Sequence, residues 1–114
     1  MSLGVDIEDI KRFENKSQRF LDRIYTKGEQ EYCLSKKLPE KNLAVRFCAK
    51  EAVIKALSGL NIEHPPLNQI EIYHNENQVP QIRLLNKSDN KLTFQVSLSH
   101  DRTKAIAFVE ANIK

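Results

Sequence analysis

Carboxylates at two places in the chain have the type and spacing needed to hold a hard cation. Asp6 and Glu8 lie two positions apart near the N-terminus. In a strand, such residues share one face, roughly 6–7 Å apart along the chain. Two carboxylates on one face can share Mg²⁺, which prefers oxygen ligands and retains several waters. The alternative interpretation is a solvated strand face, because acidic residues usually lie exposed.

Glu51 is the second candidate ligand. It follows Phe47 by four positions and Cys48 by three, which places it beside the apolar stripe of a predicted helix. A carboxylate at the edge of a core needs a cation or hydrogen bonds. Lys55 lies one turn further on. The pair is either a surface Glu–Lys pair worth about 0.3–0.5 kcal/mol, or a metal ligand followed by an ammonium that contacts a phosphate.

A third candidate is the segment Ser97-Leu98-Ser99-His100, which ends a predicted strand at a turn. Ser97 and Ser99 share its polar face. A histidine at this point can bind a phosphate or a ribose, and the alternative is an exposed turn histidine. The chain has no glycine-rich phosphate loop and no cysteine–histidine spacing that suits structural zinc.

The elements that must position these residues predict an α+β fold, a small antiparallel β-sheet with helices on one side. The first strand alternates apolar Leu3, Val5 and Ile7 with Gly4, Asp6 and Glu8, which predicts a half-buried strand with an acidic face. Predicted helical segments are a short turn at 9–13, a helix from a Ser17 cap to about Tyr25, a helix near 27–35 that begins with a Thr26–Glu29 capping box, and a long helix from Pro39 to Gly59. Predicted later strands are Ile70–His74, Gln81–Leu85, a strand around 94–98, and Ala105–Glu110.

Length and composition set further limits. The 114 residues suit one domain, residues 1–114, and so short a chain buries only about two thirds of its unfolded surface, so a deep active site needs a neighbouring subunit. The net charge of +3 permits an acidic partner or an anionic substrate without requiring either. Cys33 and Cys48 form no C-x-x-C motif, which favours a reducing, intracellular setting. No segment approaches the roughly 18 apolar residues of a membrane span, and we expect a cytoplasmic protein without membrane or nucleic-acid partners.

Three blocks of sequence, taken in order, resemble one known family. They are the segment Gly4–Phe13 (GVDIEDIKRF), the segment Arg46–Leu57 (RFCAKEAVIKAL) and the segment Val96–Asp101 (VSLSHD). The chain resembles the 4′-phosphopantetheinyl transferases, and is most similar to their short bacterial type, the holo-acyl-carrier-protein synthases. The resemblance spans nearly the whole chain, and the three blocks together are far more specific than each one alone.

The resemblance implies a reaction, a fold and a set of site residues. It implies Mg²⁺-dependent transfer of 4′-phosphopantetheine from coenzyme A to a serine of apo acyl carrier protein, with release of 3′,5′-ADP. It also implies the fold of this family and a homotrimer with active sites between subunits. The implied residues are Asp6 and Glu51 for the metal, Glu51 and Lys55 for catalysis, Lys55, Ser99, His100 and Arg46 for coenzyme A, and Arg12, Arg19 and Arg23 for the carrier protein. Arg46 serves either the 3′-phosphate of coenzyme A or the carrier protein.

The chain departs from the family pattern at three points. Ser58-Gly59-Leu60 stands where the family usually has Gly-x-Gly, and Gln78-Val79-Pro80 stands where a hairpin often carries Gly-Lys-Pro. Glu8 occupies the spacing of a further metal-binding acid in the longer transferases, and we hypothesise that it approaches the metal directly or through water. Two alternatives remain: a catalytically inactive homologue and a small basic RNA-binding module, although sparse aromatic residues disfavour the latter.

Overall fold

The computed structural model of the chain describes residues 1–85 and 91–114. Its elements in chain order are β1 (Ser2–Asp9), a 3-10 helix (Ile10–Phe13), α1 (Gln18–Ile24), α2 (Lys27–Leu34), α3 (Pro39–Gly59), a second 3-10 helix (Leu67–Gln69), β2 (Ile70–His74), β3 (Pro80–Leu84), β4 (Leu92–His100) and β5 (Lys104–Ile113). Across the described ranges, no helix combines the length and the apolar character needed to cross a bilayer.

The α+β class is confirmed, but the strands form two sheets rather than one. A three-stranded antiparallel sheet has the order β1-β5-β4, and β2 and β3 form a separate antiparallel hairpin. The hairpin strand β3 lies beside β4, and α3 packs across β1 and β5. The long helix therefore covers one face of the three-stranded sheet, and this helix–sheet contact contains the candidate site.

The predicted helix starts are confirmed because each depends on a local capping signal. The Ser17 hydroxyl accepts a hydrogen bond from the Phe20 amide at 3.1 Å. Thr26 and Glu29 form the predicted reciprocal capping box, with bonds of 3.1 and 2.9 Å. Pro39 occupies the first turn of α3, where its missing N–H costs no intrahelical bond.

The two faces of β1 are used in an unexpected way. The face that carries Gly4, Asp6 and Glu8 is turned toward α3, so the interpretation of a solvated acidic face does not hold. Gly4 explains the orientation, since a Cβ built there would lie 1.9 Å from the Ala52 carbonyl oxygen. Only glycine lets the backbones of β1 and α3 approach this closely. The opposite face of the sheet exposes apolar side chains: Leu3, Val5, Ile7, Ile106 and Phe108.

Candidate active site

Asp6 lies at the centre of the candidate site, on the β1 face that packs against α3. Its side chain is 14% exposed, and its Oδ1 atom lies 3.4 Å from Nζ of Lys55. The same ammonium donates a hydrogen bond to the Val5 carbonyl oxygen at 2.8 Å. The second carboxylate oxygen of Asp6, Oδ2, is buried and has no hydrogen-bond partner in the described part of the chain. A buried anionic oxygen of this kind requires a cation or a donor from elsewhere.

Glu51 lies on the same face of α3 as Lys55, because four residues make about one helical turn. Its side chain is half-buried. Lys55 forms its ion pair with Asp6, and residues 1–85 and 91–114 give Glu51 no hydrogen bond or ion pair, so the interpretation as a surface Glu–Lys pair does not apply. The helix thus directs Lys55 at Asp6 and leaves a carboxylate one turn away available for a ligand.

The carboxylates of the site meet the requirements of a divalent metal that binds few protein ligands. Within the described ranges, no cluster of three or more His, Cys, Asp or Glu residues has metal-binding geometry. Asp6 and Glu51 instead offer two carboxylates, one with an unpartnered buried oxygen. This fits Mg²⁺, which is commonly held by one or two carboxylates together with substrate phosphates and waters.

Glu8 shares the inner face of β1 with Asp6, and its side chain is 14% exposed. Burial raises the pKa of Glu8, and hydrogen bonding and charge repulsion from Asp6 add to this increase. The guanidinium of Arg12, which forms an ion pair with Glu8, opposes it. The hypothesis that Glu8 approaches the metal stays a prediction, and the structure adds that Arg12 already engages this carboxylate.

Cys48 forms part of the floor of the site, a role that sequence reasoning did not assign. It is fully buried on α3, and its thiol donates a hydrogen bond to the Ala105 carbonyl oxygen at 3.3 Å. Burial, followed by the negative charges of Asp6 and Glu8, raises the pKa of Cys48 to about 12. Cys48 is therefore a neutral thiol at physiological pH. The sequence signal for its place beside the site was its position three residues, or about one helical turn, before Glu51.

Ser99 and His100 lie at the end of β4 and are exposed, but they point to opposite faces of the sheet. His100 and Glu8 both pair with Ala105, from the two sides of β5. Glu8 and His100 therefore share the inner face, about 10 Å apart across two strand spacings. Ser99 faces outward, so within one chain the structure does not bring it to Asp6.

Arg46 lies on the face of α3 opposite Lys55, because nine residues correspond to two and a half turns. It is buried, with its guanidinium 4.3 Å from the centre of the Tyr32 ring. Nη2 donates to Nδ1 of His74 at 3.2 Å, while Nε is buried without a partner in the described residues. Burial lowers the pKa of His74, and the charges of Arg46 and Lys36 lower it further. Arg46 and His74 border a groove of about 350 Å³ that we call the Arg46 groove. Its lining also includes Gly28, Glu29, Tyr32, Glu71, Tyr73, Gln78 and Arg83.

The three arginines predicted to bind a carrier protein lie on adjacent elements. Arg12 is in the 3-10 helix that follows β1, and its side chain is 54% exposed. Arg19 and Arg23 are exposed on α1, where their spacing of four residues places them on one face. We call Arg12, Arg19 and Arg23 the basic surface, and Arg12 is the member that forms an ion pair with Glu8.

A family model gives the chain its place among known proteins. The model described as the 4′-phosphopantetheinyl transferase superfamily matches residues 2–109. This chain belongs to that superfamily. Similar transferases include the holo-[acyl-carrier-protein] synthase of Thermodesulfovibrio yellowstonii, 37% identical over 114 residues with 94% of each chain covered. The enzyme of the same name from Gloeobacter violaceus is 41% identical over 118 residues, covering 94% of this chain and 89% of that protein.

Solved structures of the superfamily share the fold. The acyl carrier protein synthase of Mycobacterium tuberculosis matches with a TM-score of 0.77 and 30% identity, covering 99% of this chain and 97% of that one. The Helicobacter pylori holo-[acyl-carrier-protein] synthase, solved in complex with coenzyme A, matches with a TM-score of 0.78 and 30% identity, covering 96% and 99%. The agreement confirms the fold that the three sequence blocks implied.

The turn after α3 shows how this transferase tolerates its departure from Gly-x-Gly. Leu60, at the position of the second glycine, has φ −93° and ψ 3°, which lies outside the left-handed region that favours glycine. The left-handed conformation falls on Asn61 instead, with φ 60°. Asparagine tolerates this region better than most residues. In the hairpin, Gln78 likewise adopts a left-handed φ of 62° just before Val79 and Pro80.

Proposed function

We propose that this protein is a holo-[acyl-carrier-protein] synthase that transfers 4′-phosphopantetheine from coenzyme A to a serine of apo acyl carrier protein, releasing 3′,5′-ADP. The observation that carries the proposal is the Lys55–Asp6 pair, with Glu51 one helical turn away and a buried Asp6 oxygen that has no partner in the described part of the chain. The proposed catalytic domain spans residues 1–114. The two cysteines are buried free thiols, which supports a reducing, cytoplasmic setting.

Asp6 and Glu51 are the residues that would hold Mg²⁺. When bound, the metal supplies neutralisation of the negative charge on the phosphoryl oxygens of coenzyme A. Asp6 is held in place for this role, because Lys55 fixes one carboxylate oxygen and the other has no donor from residues 1–85 or 91–114. Glu51 has no competing partner in the described residues.

Lys55 is placed to act on the phosphate. Its ammonium is fixed by the Val5 carbonyl oxygen and by Asp6, yet its side chain remains 54% exposed. A lysine has three N–H donors, so one remains available for a phosphate oxygen of the donor substrate. Lys55 would stabilise the leaving phosphate or donate a proton to it. Glu51, or a water that it positions, is the candidate base that removes the proton of the attacking serine hydroxyl.

The nucleotide end of coenzyme A would occupy the Arg46 groove and the region of Ser99 and His100. Arg46 lines this groove with a buried Nε that has no partner among the described residues, and Tyr32 adds an aromatic surface over which Lys36 lies. The glutamates of the lining, Glu29 and Glu71, are already paired with Lys50 and Arg83. Arg46 lies on the far face of α3 from Lys55, and Ser99 faces away from Asp6. One coenzyme A molecule would therefore contact these groups from two copies of the chain.

This arrangement supports the proposed homotrimer with active sites between subunits. The outer sheet face, which we define by Leu3, Val5, Ile7, Ile106 and Phe108, exposes between 38% and 59% of each residue. A contiguous apolar patch on a small protein commonly marks an interaction surface. Phe108 lies near its centre, opposite Val5 on β1 and Ser97 on β4.

Replacing Phe108 with Lys should dissociate the assembly, because it places a charge in an apolar interface. We expect light scattering after gel filtration to give a trimer for the unchanged protein and a mass near the 13.2 kDa monomer for the variant. Leu34→Lys is the matched control, since Leu34 is 48% exposed but lies on α2. A trimer that survives Phe108→Lys would count against this face as the interface.

The basic surface of α1 predicts a selective effect on the carrier protein. We propose that the carrier protein is acidic around the modified serine, so Arg19→Glu and Arg23→Glu should raise the apparent KM for carrier protein about tenfold or more. The KM for coenzyme A should change less than twofold, as should both constants in the control Lys37→Glu. Equal effects on both substrates in steady-state assays would contradict the assignment.

The decisive test of the function is the intact mass of purified apo acyl carrier protein after incubation with this protein, coenzyme A and Mg²⁺. We expect a gain of one phosphopantetheine, lost in chelator. No gain with several carrier proteins would instead favour the inactive homologue. A melting temperature that rises with RNA rather than with coenzyme A and Mg²⁺ would favour the RNA-binding module.

A further inference from the structure

A direct ion pair connects the basic surface to the metal-binding carboxylates. Nη1 of Arg12 contacts Oε1 of Glu8, four residues earlier in the chain. Glu8 lies on the same face of β1 as Asp6, two residues further along the strand. The pair is asymmetric, since the Glu8 side chain is 14% exposed and the Arg12 side chain is 54% exposed. A partner in solution can therefore reach the guanidinium but not the carboxylate behind it.

The backbone before Arg12 is hydrogen-bonded to the turn between β4 and β5, so we assign the rearrangement to the Arg12 side chain. The Ile10 amide donates to the Thr103 carbonyl oxygen at 2.8 Å, and Asp9 forms an ion pair with Lys104. The Arg12 guanidinium lies over aromatic rings, 5.5 Å from the centre of Phe13 and 5.3 Å from that of Phe47. These cation–π contacts orient the guanidinium, but they bind it more weakly than a second carboxylate would.

We propose that Arg12 is a positioning residue that couples carrier-protein docking to metal binding: it occupies the Glu8 carboxylate in the free protein and releases it when an acidic partner engages the guanidinium. This inference rests on the proposed function, and it adds that docking of the carrier protein at Arg12 changes the affinity of the site for the metal. With Arg12 drawn outward, the charge of Glu8 becomes available beside Asp6, and Glu8 acts on the metal directly or through water.

Removing or withdrawing the Arg12 guanidinium should raise the affinity of the site for a divalent metal. Within the described residues, Arg12 is the cation that forms an ion pair with Glu8, while Lys55 pairs with Asp6. Removing the guanidinium leaves two neighbouring carboxylates with less compensation, which strengthens their attraction for a divalent cation. By thermodynamic reciprocity, a partner that withdraws Arg12 must raise metal affinity, and the metal must raise affinity for that partner.

The test measures metal affinity directly. Mn²⁺, a paramagnetic ion that also accepts oxygen ligands, is titrated into the full-length protein at fixed ionic strength and followed by electron paramagnetic resonance. We expect Arg12→Gln to tighten Mn²⁺ binding about three- to tenfold, the effect of one partly screened unit charge. Lys11→Gln is the matched control, an exposed cation on the same 3-10 helix, and should change the affinity less than twofold.

Two further arms separate this coupling from general electrostatics. In a Glu8→Gln background, Arg12→Gln should change the Mn²⁺ affinity less than twofold, because the carboxylate that Arg12 occupies is absent. Apo acyl carrier protein should tighten Mn²⁺ binding to the unchanged protein and to Lys11→Gln, but not to Arg12→Gln. In steady-state kinetics, Arg12→Gln should raise the KM for carrier protein and lower the half-saturating Mg²⁺ concentration. A general loss of structure would weaken the binding of both, so it would not produce these opposite changes.

Weaker or unchanged Mn²⁺ binding in Arg12→Gln would overturn the inference, as would an effect that persists in the Glu8→Gln background. The intact-mass assay of the unchanged protein is run in parallel to keep the two proposals distinct. Phosphopantetheine transfer without an effect of Arg12 on metal affinity would overturn only the coupling. Absence of both transfer and Mn²⁺ binding in the unchanged protein would overturn the proposed function and the coupling with it.

Discussion

Replacing Glu51 with Gln should reduce kcat for phosphopantetheine transfer by about a thousandfold or more. The substitution keeps the shape of the side chain but removes the charge that would hold the metal and accept the serine proton. Loss of a group that acts in transition-state stabilisation typically costs a factor of 10²–10³, and loss of a general base adds 10²–10⁴. The rate is measured from the intact mass of apo acyl carrier protein at timed intervals, with saturating coenzyme A and Mg²⁺.

The fold should tolerate this change, which separates a catalytic from a structural role. Glu51 has no hydrogen bond or ion pair with residues 1–85 or 91–114, so the variant should melt within about 2 °C of the unchanged protein, as expected for a change of under about 0.5 kcal/mol. Glu40→Gln is the matched control, since it removes the same charge from the first turn of α3. A Glu51→Gln variant that retains more than a tenth of the activity would remove Glu51 from the catalytic mechanism.

The helices could be predicted from sequence because their boundaries depend on local chemistry. The hydroxyl groups of Ser17 and Thr26 cap the amides three residues later, and both bonds are present. Pro39 and Gly59 delimit α3 within the predicted bounds. The strands of the last third were also placed within a few residues, because alternating apolar residues show where a strand lies. Which strands share a sheet is a long-range property, so the separation of the β2–β3 hairpin was not predicted.

The candidate site was predicted in its residue types but not in its surroundings. Alternation in β1 indicated two faces, but it could not show that Gly4 admits the backbone of α3 and thereby turns Asp6 toward the helix. The Glu51–Lys55 spacing was compatible with a local pair, whereas Lys55 in fact binds Asp6, 49 residues away. Arg46 is in the same sequence block as Glu51 but points to the other side of α3. There its guanidinium packs on the Tyr32 ring and donates a hydrogen bond to His74.

Lys50 is the clearest case of a residue whose environment sequence reasoning missed. Its charge stands among the apolar residues of α3, yet the side chain is fully buried. Its ammonium forms an ion pair with Glu29 at 2.7 Å and donates to the carbonyl oxygens of Leu67, at 2.9 Å, and Ile70. Burial lowers the pKa of Lys50, and the charge of Glu29 opposes this shift. Three donors thus meet three acceptors, which connects α3 to α2 and to the start of β2.

Replacing Lys50 with Met should therefore lower the free energy of unfolding by about 3–5 kcal/mol, because it leaves the Glu29 carboxylate buried without its cation. Glu29 would keep hydrogen bonds from the amides of Thr26 and Ile72, both at 2.9 Å, but these do not neutralise it. Urea unfolding at fixed protein concentration measures the change. Lys55→Met is the matched control on the same helix, since the Lys55 side chain is 54% exposed, and it should cost under about 1 kcal/mol.

The double variant Lys50→Met/Glu29→Gln tests whether the uncompensated charge is the cause. Removing that charge should restore a part of the lost stability, so the two single changes should be non-additive by about 1–3 kcal/mol. Recovery should be incomplete. Both carboxylate oxygens of Glu29 accept a backbone N–H, one from Thr26 and one from Ile72. A glutamine has only one oxygen, so its NH₂ group would face one of these N–H donors and leave it unsatisfied. Additive losses would mean that packing of the lysine stem, rather than the ion pair, joins α3 to α2 and β2.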